Sequence, residues 1–106
     1  MEKLTERALE GYNKRDAELF SRGFSPKAIP QANEEFFRTV IIGIYHDEFG
    51  ELTKKKRTDA ETNVNPNLGM IVYEAEAKKR PKVKVSVNFR REEGALKIVQ
   101  LRMERM

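Results

Sequence analysis

The sequence predicts an α+β domain in which N-terminal helices pack on one face of a curved antiparallel sheet of about four strands. Two observations support this prediction. Helical periodicity is confined to the first half of the chain, and strict alternation of apolar and polar residues is confined to the second half. We treat residues 1–106 as a single domain, because a chain of this length can bury a core without the help of disulfides or a bound metal.

An apolar stripe near the N-terminus predicts an amphipathic helix. Leu4, Ala8 and Tyr12 recur at a spacing of four residues, which puts them on one face of a helix from about Leu4 to Asn13. We expect this face to pack on the sheet, with the Tyr12 hydroxyl at the rim of the core.

A second, short helix is predicted to follow. Asp16 is a suitable N-cap for a helix that carries Leu19 and Phe20. Gly23 lies at the expected C-cap position, where a left-handed backbone is common. Phe24 is then expected to fold back on Leu19 and close this helix.

Two adjacent apolar rows predict a long third helix that lies across the sheet with both rows turned inward. One row holds Ala32, Phe36, Val40 and Ile44, and the other holds Phe37, Ile41 and Tyr45. The β-branched run around Gly43 also fits a strand, and this glycine costs a helix interior about 1 kcal/mol. The four-residue spacing begins well before that run and favours the helix.

Strict alternation from residue 69 to residue 89 predicts the two central strands. One face of each strand is apolar and is expected to form the core. The core-facing residues are Ile71, Tyr73, Ala75 and Ala77 on the first strand and Val83, Val85, Val87 and Phe89 on the second. A tight connection at Pro81 places Glu76 opposite Lys84 across the outer face.

Two further strands are predicted to complete the sheet. The polar segment from Leu52 to about Asn63 predicts an edge strand whose charges discourage unwanted pairing. The segment from Leu96 to Met103 predicts the last strand. Its core-facing residues are expected to be Val99, Leu101 and Met103. Ile98 then points to the outer face unless a bulge intervenes.

Several short motifs resemble the nuclear transport factor two-like (cystatin-like) superfamily. Its members often begin with a helix ending in an aromatic–asparagine pair, here Tyr12 and Asn13, followed by a short helix that starts at an aspartate, here Asp16. Residues 20–25 and 73–77 are similar to a small family of unknown function within it. The resemblance implies a cone-shaped sheet around a long helix, often in a homodimer and often with a pocket at the open end. It implies no activity, because enzymes and non-catalytic modules share this fold.

We interpret the chain as a non-catalytic module that binds a small ligand or another protein. The resemblance implies that a ligand would enter the open end of the cone, and a small apolar or acidic molecule would suit it. No catalytic residue or cofactor is assigned. The residues expected to line this ligand pocket are Tyr12, Phe37, Ile41, Tyr45 and Tyr73.

The alternative is a small lyase or isomerase of the ketosteroid-isomerase-like type. Such enzymes use a pocket carboxylate or histidine together with a tyrosine, which here directs attention to Tyr45, Tyr12 and Asp16. His46 is the only histidine, but consecutive helical residues point about 100° apart, so His46 and Tyr45 cannot face one pocket together with Asp47. We therefore interpret His46 as a solvated residue near a helix C-terminus.

The resemblance also leads us to expect a homodimer, formed through the outer face of the sheet. Val72, Ile98 and Met70 are the apolar candidates for that face. Lys84 and Glu74 share the face and would have to lie at the rim or be paired.

Most charged residues are interpreted as solvated surface. Glu74 and Glu76 could form a carboxylate pair, but partnership with Lys84 across the strands is favoured. The basic run 54–57 lacks interleaved aromatic residues, and acidic residues such as Glu61 are mixed in. We therefore do not expect nucleic acid as a partner.

Composition excludes several classes of protein. The chain has no cysteine, which excludes disulfides and thiolate chemistry, and no histidine–carboxylate cluster has metal-ligand spacing. No apolar run approaches the roughly 20 residues that span a bilayer. The N-terminus is too polar for a signal peptide, so we expect a cytoplasmic protein, or an extracytoplasmic one if a leader has been removed. The net charge of +4 permits an anionic partner without arguing for one.

Overall fold

Three helices precede an antiparallel sheet, which confirms the predicted α+β class. The structure is a computed structural model and describes residues 2–28, 34–58, 63–64 and 68–106. Helix α1 spans Glu2–Lys14, and helix α2 spans Ala17–Ser21. Helix α3 occupies residues 34–48 in three consecutive stretches. These stretches are Glu34–Phe36, the π-helical turn Phe37–Ile42, and Gly43–Glu48.

Four long or medium strands and one short strand form the sheet. They are β1 Leu52–Arg57, β2 Asn63–Val64, β3 Leu68–Ala77, β4 Val83–Glu92 and β5 Ala95–Arg105. The order across the sheet is β1-β3-β4-β5, all neighbours are antiparallel, and β2 pairs with β3 beyond the end of β1. The polar edge strand is therefore confirmed for β1 and β2, while residues 59–62 of that segment lie outside the described residues. So does Ala32.

The start of α2 agrees with the prediction, and its end does not. The Asp16 carboxylate accepts a hydrogen bond from the Leu19 backbone N–H at 3.1 Å, as an N-cap should. The left-handed stop at Gly23 was wrong, because the left-handed glycines of the described chain are Gly50 and Gly94. The chain runs on past Gly23 as an extended segment that pairs with β5.

The core faces of the two central strands are confirmed. Side chains at the predicted inward positions are buried, apart from Ala77 at the end of β3, which is partly buried. The predicted register was displaced by two residues, because Glu74, and not Glu76, lies opposite Lys84. The connection is longer than a tight turn, since β3 ends at Ala77 and β4 begins at Val83.

The π-helical turn changes which side of α3 is buried. The Gly43 N–H donates to the carbonyl of Arg38, five residues earlier, so the buried row steps from Phe37 to Ile42. The inward orientation predicted for Val40 and Ile44 was wrong, because they are 42% and 55% exposed. The other predicted members of the two rows, Phe36, Phe37, Ile41 and Tyr45, are buried or packed against the core. The four-residue repeat assumed an uninterrupted α-helix, and the extra residue of the π turn breaks it.

A β-bulge decides the faces of β5. Asn88 pairs with Gln100 and Phe89 pairs with Ile98, so Val99 is the extra residue. Ile98 consequently turns inward and is fully buried, whereas Val99 is only partly buried. The expected core position of Val99 was therefore wrong, and the bulge that the sequence left open is present. Leu101 and Met103 are in the core, as predicted.

Candidate functional site

The polar residues at the end of α1 are held inside the fold. The Tyr12 ring is fully buried, and its hydroxyl donates to the Gly50 carbonyl at 2.7 Å. Burial raises the pKa of this phenol. The His46 ring stacks on the Tyr12 ring with the centroids 4.2 Å apart, and His46 Nε2 donates to the Tyr12 carbonyl at 2.5 Å. Tyr12 is in the core as predicted, but its hydroxyl is buried and does not lie at the rim. The prediction that His46 is solvated was wrong, because the π turn of α3 rotates His46 toward α1.

Asn13 ties α1 to the edge of the sheet. Its amide accepts a hydrogen bond from the Leu52 N–H at 2.9 Å and donates one to the Leu52 carbonyl at 3.0 Å. Tyr12 reaches Gly50, two residues before Leu52, in the same way. The aromatic–asparagine pair therefore acts as a structural clamp between the first helix and the first strand.

We expect Tyr12→Phe to lower the free energy of unfolding by about 1–2 kcal/mol, because it leaves the buried Gly50 carbonyl without its donor. Tyr45→Phe is the matched control. The Tyr45 hydroxyl makes no hydrogen bond within the described part of the chain, so its removal should change stability by less than about 0.5 kcal/mol. Urea unfolding at equilibrium measures both variants, and equal losses would contradict the clamp.

The five residues of the predicted ligand pocket lie in two settings. Tyr12, Phe37 and Tyr73 are buried in the core, while Ile41 and Tyr45 are partly buried at its margin. A ligand pocket among these residues stays a prediction. Asp16, proposed for the lyase alternative, is exposed and occupied as the α2 cap. Among the described residues the buried polar side chains are Thr5, Ser25 and His46, and none is a carboxylate.

The outer face of the sheet carries alternating charges. Glu74 of β3 lies between Lys56 of β1 and Lys84 of β4, and Glu76 lies opposite Lys54. This arrangement favours cross-strand partnership over a carboxylate pair. A depression of about 410 Å³ beside these residues is lined mainly by the same charges. Its lining includes Lys54, Lys56, Glu74, Glu76, Lys82 and Met106.

The three residues named for the predicted dimer offer little apolar surface on this face. Ile98 was wrongly assigned to the outer face, because the bulge turns it into the core. Val72 is on the outer side of β3 by alternation but is only 2% exposed. Met70 remains, and it is partly buried. Dimerisation itself stays a prediction.

Strand β5 has an open edge. Among the described residues it pairs with β4 on one side, and on the other side it meets only the short segment around Phe24. There the Ile98 N–H donates to the Gly23 carbonyl and the Ser25 N–H donates to the Ile98 carbonyl, each at 2.8 Å. We call the backbone of residues 100–105 on the side away from β4 the open edge of β5.

The alternation of backbone hydrogen bonds along β5 identifies the groups that point out of this edge. The Met106 N–H donates to the Lys82 carbonyl of the turn before β4 at 3.4 Å. Successive residues of an antiparallel strand direct their backbone groups to opposite sides. Even-numbered residues of β5 beyond the bulge therefore bond to β4. The N–H and C=O groups of Leu101, Met103 and Arg105 point outward.

The C-terminal end of α3 is joined to the end of the open edge. Arg105 Nε donates to Glu48 Oε1 at 3.0 Å. Earlier along the same helix, the apolar side chains of Val40 and Ile44 are exposed. We call Val40 and Ile44 the exposed α3 row. The open edge and this row together form the candidate interaction surface.

The segment that covers the first part of the β5 edge is fixed by a hydrogen-bonded carboxylate. Ser25 Oγ donates to Glu92 Oε1 at 2.6 Å, and Arg90 Nε donates to Glu92 Oε2 at 2.8 Å. The hydrogen bond from Ser25, followed by that from Arg90, holds the pKa of Glu92 below its ordinary value. The covering segment is therefore attached most firmly when Glu92 is ionised.

We expect acid to weaken this attachment. Because the folded state lowers the pKa of Glu92, its contribution to stability is present above the ordinary glutamate pKa of about 4.3 and is lost as the pH falls below that value. Glu92→Gln should therefore lose less stability than the wild type between pH 7 and about pH 3.5. Urea midpoints at the two pH values measure this, and identical acid-induced losses would contradict it. Ser25→Ala, which removes the principal donor, should lie between the two.

The comparisons with known proteins identify the fold. A Bacteroides uniformis protein of the DUF4783 family has 8% sequence identity and a TM-score of 0.67, with 95% of each chain covered. An NTF2-like protein of unknown function from Shewanella baltica OS155 has 14% identity and a TM-score of 0.64, covering 98% of this chain and 90% of that one. Bd1075 of Bdellovibrio bacteriovorus has 9% identity and a TM-score of 0.60, covering 99% of this chain and 39% of that one.

These similarities define an α+β protein with a nuclear transport factor two-like fold. The resemblance read from the sequence is confirmed at the level of the fold, and at these identities the comparison carries no activity. No family model and no curated protein matches the sequence.

Among the described residues, no group of three or more histidine, cysteine, aspartate or glutamate side chains could hold a metal ion. None of the helices of that part of the chain is long and apolar enough to cross a membrane.

The sequence interpretation missed the candidate interaction surface. It placed Val40 and Ile44 inside the cone and gave the last strand no role beyond the core. A signal was nevertheless present: Gln100, Arg102 and Glu104 alternate with apolar residues in the final segment of the chain, and charges of both signs are common on edge strands.

Proposed function

We propose that this protein is a non-catalytic protein-interaction module, and that its binding surface is the open edge of β5 together with the exposed α3 row. One observation carries the proposal: backbone groups at Leu101, Met103 and Arg105 point out of an open strand edge, and the Arg105–Glu48 ion pair joins the end of that edge to α3. An extended segment of a partner could add a strand to such an edge, with main-chain hydrogen bonds supplying affinity. The apolar row could then contact its side chains.

The use made of the polar groups near the core supports a binding role over a lyase. The Tyr12 hydroxyl, the His46 imidazole and the Asn13 amide all bond to backbone groups of the fold itself. Removing a proton in such an enzyme needs a poised carboxylate or histidine that can reach a substrate. His46 Nε2 instead donates to the Tyr12 carbonyl, so this nitrogen is not available to take a proton from a substrate.

Resolved amide signals can test the edge directly. A short capped peptide of alternating threonine and valine, titrated into the ¹⁵N-labelled protein, should shift the amides of Leu101, Met103 and Arg105. Amides of Arg102 and Glu104, which bond to β4, serve as internal controls and should shift less. Shifts confined to the outer face near Glu74, or no shift at any amide of β5, would overturn the proposal.

A variant tests whether the exposed α3 row binds the same peptide as the open edge of β5. Ile44→Glu replaces an apolar side chain that is 55% exposed, so it should leave the fold intact while weakening peptide binding. Thr39→Glu, at an exposed position of the same helix, is the matched control for added charge. Equal binding by both variants would remove α3 from the surface.

A further inference from the structure

We propose that the open edge of β5 pairs with the same edge of a second copy of the chain, in an antiparallel arrangement with the two-fold axis at Met103. This inference rests on the proposed function and names its partner. It moves the expected dimer from the outer face of the sheet to its edge. The result is one continuous sheet running through both copies.

The alternation of backbone hydrogen bonds along β5 permits this pairing. With the axis at Met103, Met103 lies opposite Met103 of the second copy, and Leu101 lies opposite Arg105 of the second copy. All of these residues point their backbone N–H and C=O groups out of the edge. The outward groups of each copy therefore meet those of the other without any change in the pairing of β5 with β4.

Charge selects this register over its neighbours. Arg102 lies opposite Glu104 of the second copy, and Glu104 lies opposite Arg102 of the second copy. Arg102 and Glu104 already form an ion pair within one chain at 3.2 Å, so the dimer holds four charges in which each neighbour has the opposite sign. Both side chains are exposed, at 59% and 45%, and are available to a partner.

The other two-fold registers are less favourable. Moving the axis to Arg102, Glu104 or Arg105 sets that residue against its own copy, which brings like charges directly opposite one another. Moving it to Leu101 sets Glu104 opposite Ile98 of the second copy. The edge there is already covered, because Ile98 bonds to Gly23 and Ser25. Only the axis at Met103 pairs arginine with glutamate.

The position of α3 agrees with the same arrangement. A two-fold axis perpendicular to the sheet keeps the α3 helices of both copies on one face of the continuous sheet. Arg105 donates to Glu48, so the C-terminal end of α3 lies beside the end of the paired edge in each copy.

Charge exchange tests the register. The wild type should be a dimer by size exclusion with light scattering at high concentration. Arg102→Glu and Glu104→Arg each place like charges opposite one another, and each should weaken dimerisation by at least about tenfold. An equal mixture of the two single variants restores opposite pairs and should form a heterodimer. The double variant R102E/E104R should recover the wild-type dimer.

The single variants also lose the ion pair within the chain, which is exposed and contributes about 0–1 kcal/mol to stability. Circular dichroism and thermal unfolding should show that each variant remains folded. A folded, strictly monomeric wild type would overturn the inference. The proposed function would survive that result if the threonine–valine peptide still shifted the β5 amides.

A dimer that neither Arg102→Glu nor Glu104→Arg weakens would also overturn the inference, since another face would then hold the copies together. Val72→Lys, on the outer face, distinguishes that case only if the variant stays folded. Met70→Lys, at the partly buried end of the same face, is the safer second variant. Dissociation by Met70→Lys with no response to Arg102→Glu would assign the interface to the outer face.

Discussion

Gly11→Ala should lower the free energy of unfolding by about 3 kcal/mol or more, the largest effect expected of any small substitution in this chain. Gly11 is buried in α1 where the backbone of α2 crosses it. An added Cβ would lie 2.9 Å from the Leu19 carbonyl carbon, 2.7 Å from Phe20 Cα and closer still to the Phe20 nitrogen. These are backbone atoms, so relief requires α1 and α2 to move apart.

Gly23→Ala is the matched control for this substitution. Its added Cβ would meet Leu4 Cδ2 at 3.1 Å, which is the end of a flexible side chain and can turn aside. We expect its cost to stay within about 1 kcal/mol. Urea midpoints of the two variants measure the difference. If Gly11→Ala and Gly23→Ala unfold at the same midpoint, the close approach of α1 and α2 is not a constraint on the fold.

Ile98→Ala should lower the free energy of unfolding by about 3 kcal/mol, because Ile98 is fully buried and its loss leaves a cavity in the core. The bulge puts Ile98 in this position. Phe89 pairs with Ile98 and Asn88 pairs with Gln100, so Val99 is the extra residue. Without the bulge, simple alternation would place Val99 in the core and Ile98 on the outer face.

Val99→Ala is the matched control for this substitution. Val99 is only partly buried, so we expect a loss of no more than about 1 kcal/mol. Urea unfolding at equilibrium measures both variants. A larger loss from Val99→Ala than from Ile98→Ala would show that the bulge does not place Ile98 in the core.

The features that follow from alternation and capping could be predicted from the sequence. Period two in β3 and β4 fixed which face of the sheet is buried, because a side chain on a strand has only two directions. The Asp16 cap was predictable for a similar reason, since a short acidic side chain before a helix has a backbone donor within reach. The family resemblance then supplied the arrangement of the elements in space.

The features that depend on one additional residue could not be predicted. The π turn in α3 and the bulge at Val99 each shift a periodic pattern by one position. Both occur in apolar runs, where a shift by one residue still places apolar side chains in the core. The sequence therefore misplaced Val40, Ile44 and His46 in the first case and Val99 in the second. Tertiary contacts, such as the stacking of Tyr12 on His46, select the phase.

The candidate surface was hidden for a related reason. An edge is defined by the order of strands, and strand order follows from long-range pairing that a local pattern does not encode. Arg102 and Glu104 look like ordinary solvated charges until β5 is known to be the last strand of the sheet. Glu74 and Lys84 are also charges that alternate with apolar residues. They lie on the inner strands β3 and β4, where they face each other across the ladder.

The short cover over Ile98 limits how this protein could aggregate. Fibres grow when long, flat strand edges stack without end, and here the chain closes part of its longest edge with its own residues 23–25. The opposite border of the sheet is the lysine-rich β1, whose like charges repel a neighbour. Both borders of the sheet therefore oppose the unlimited addition of strands. Precipitation should first occur under conditions that protonate Glu92 and loosen the covering segment.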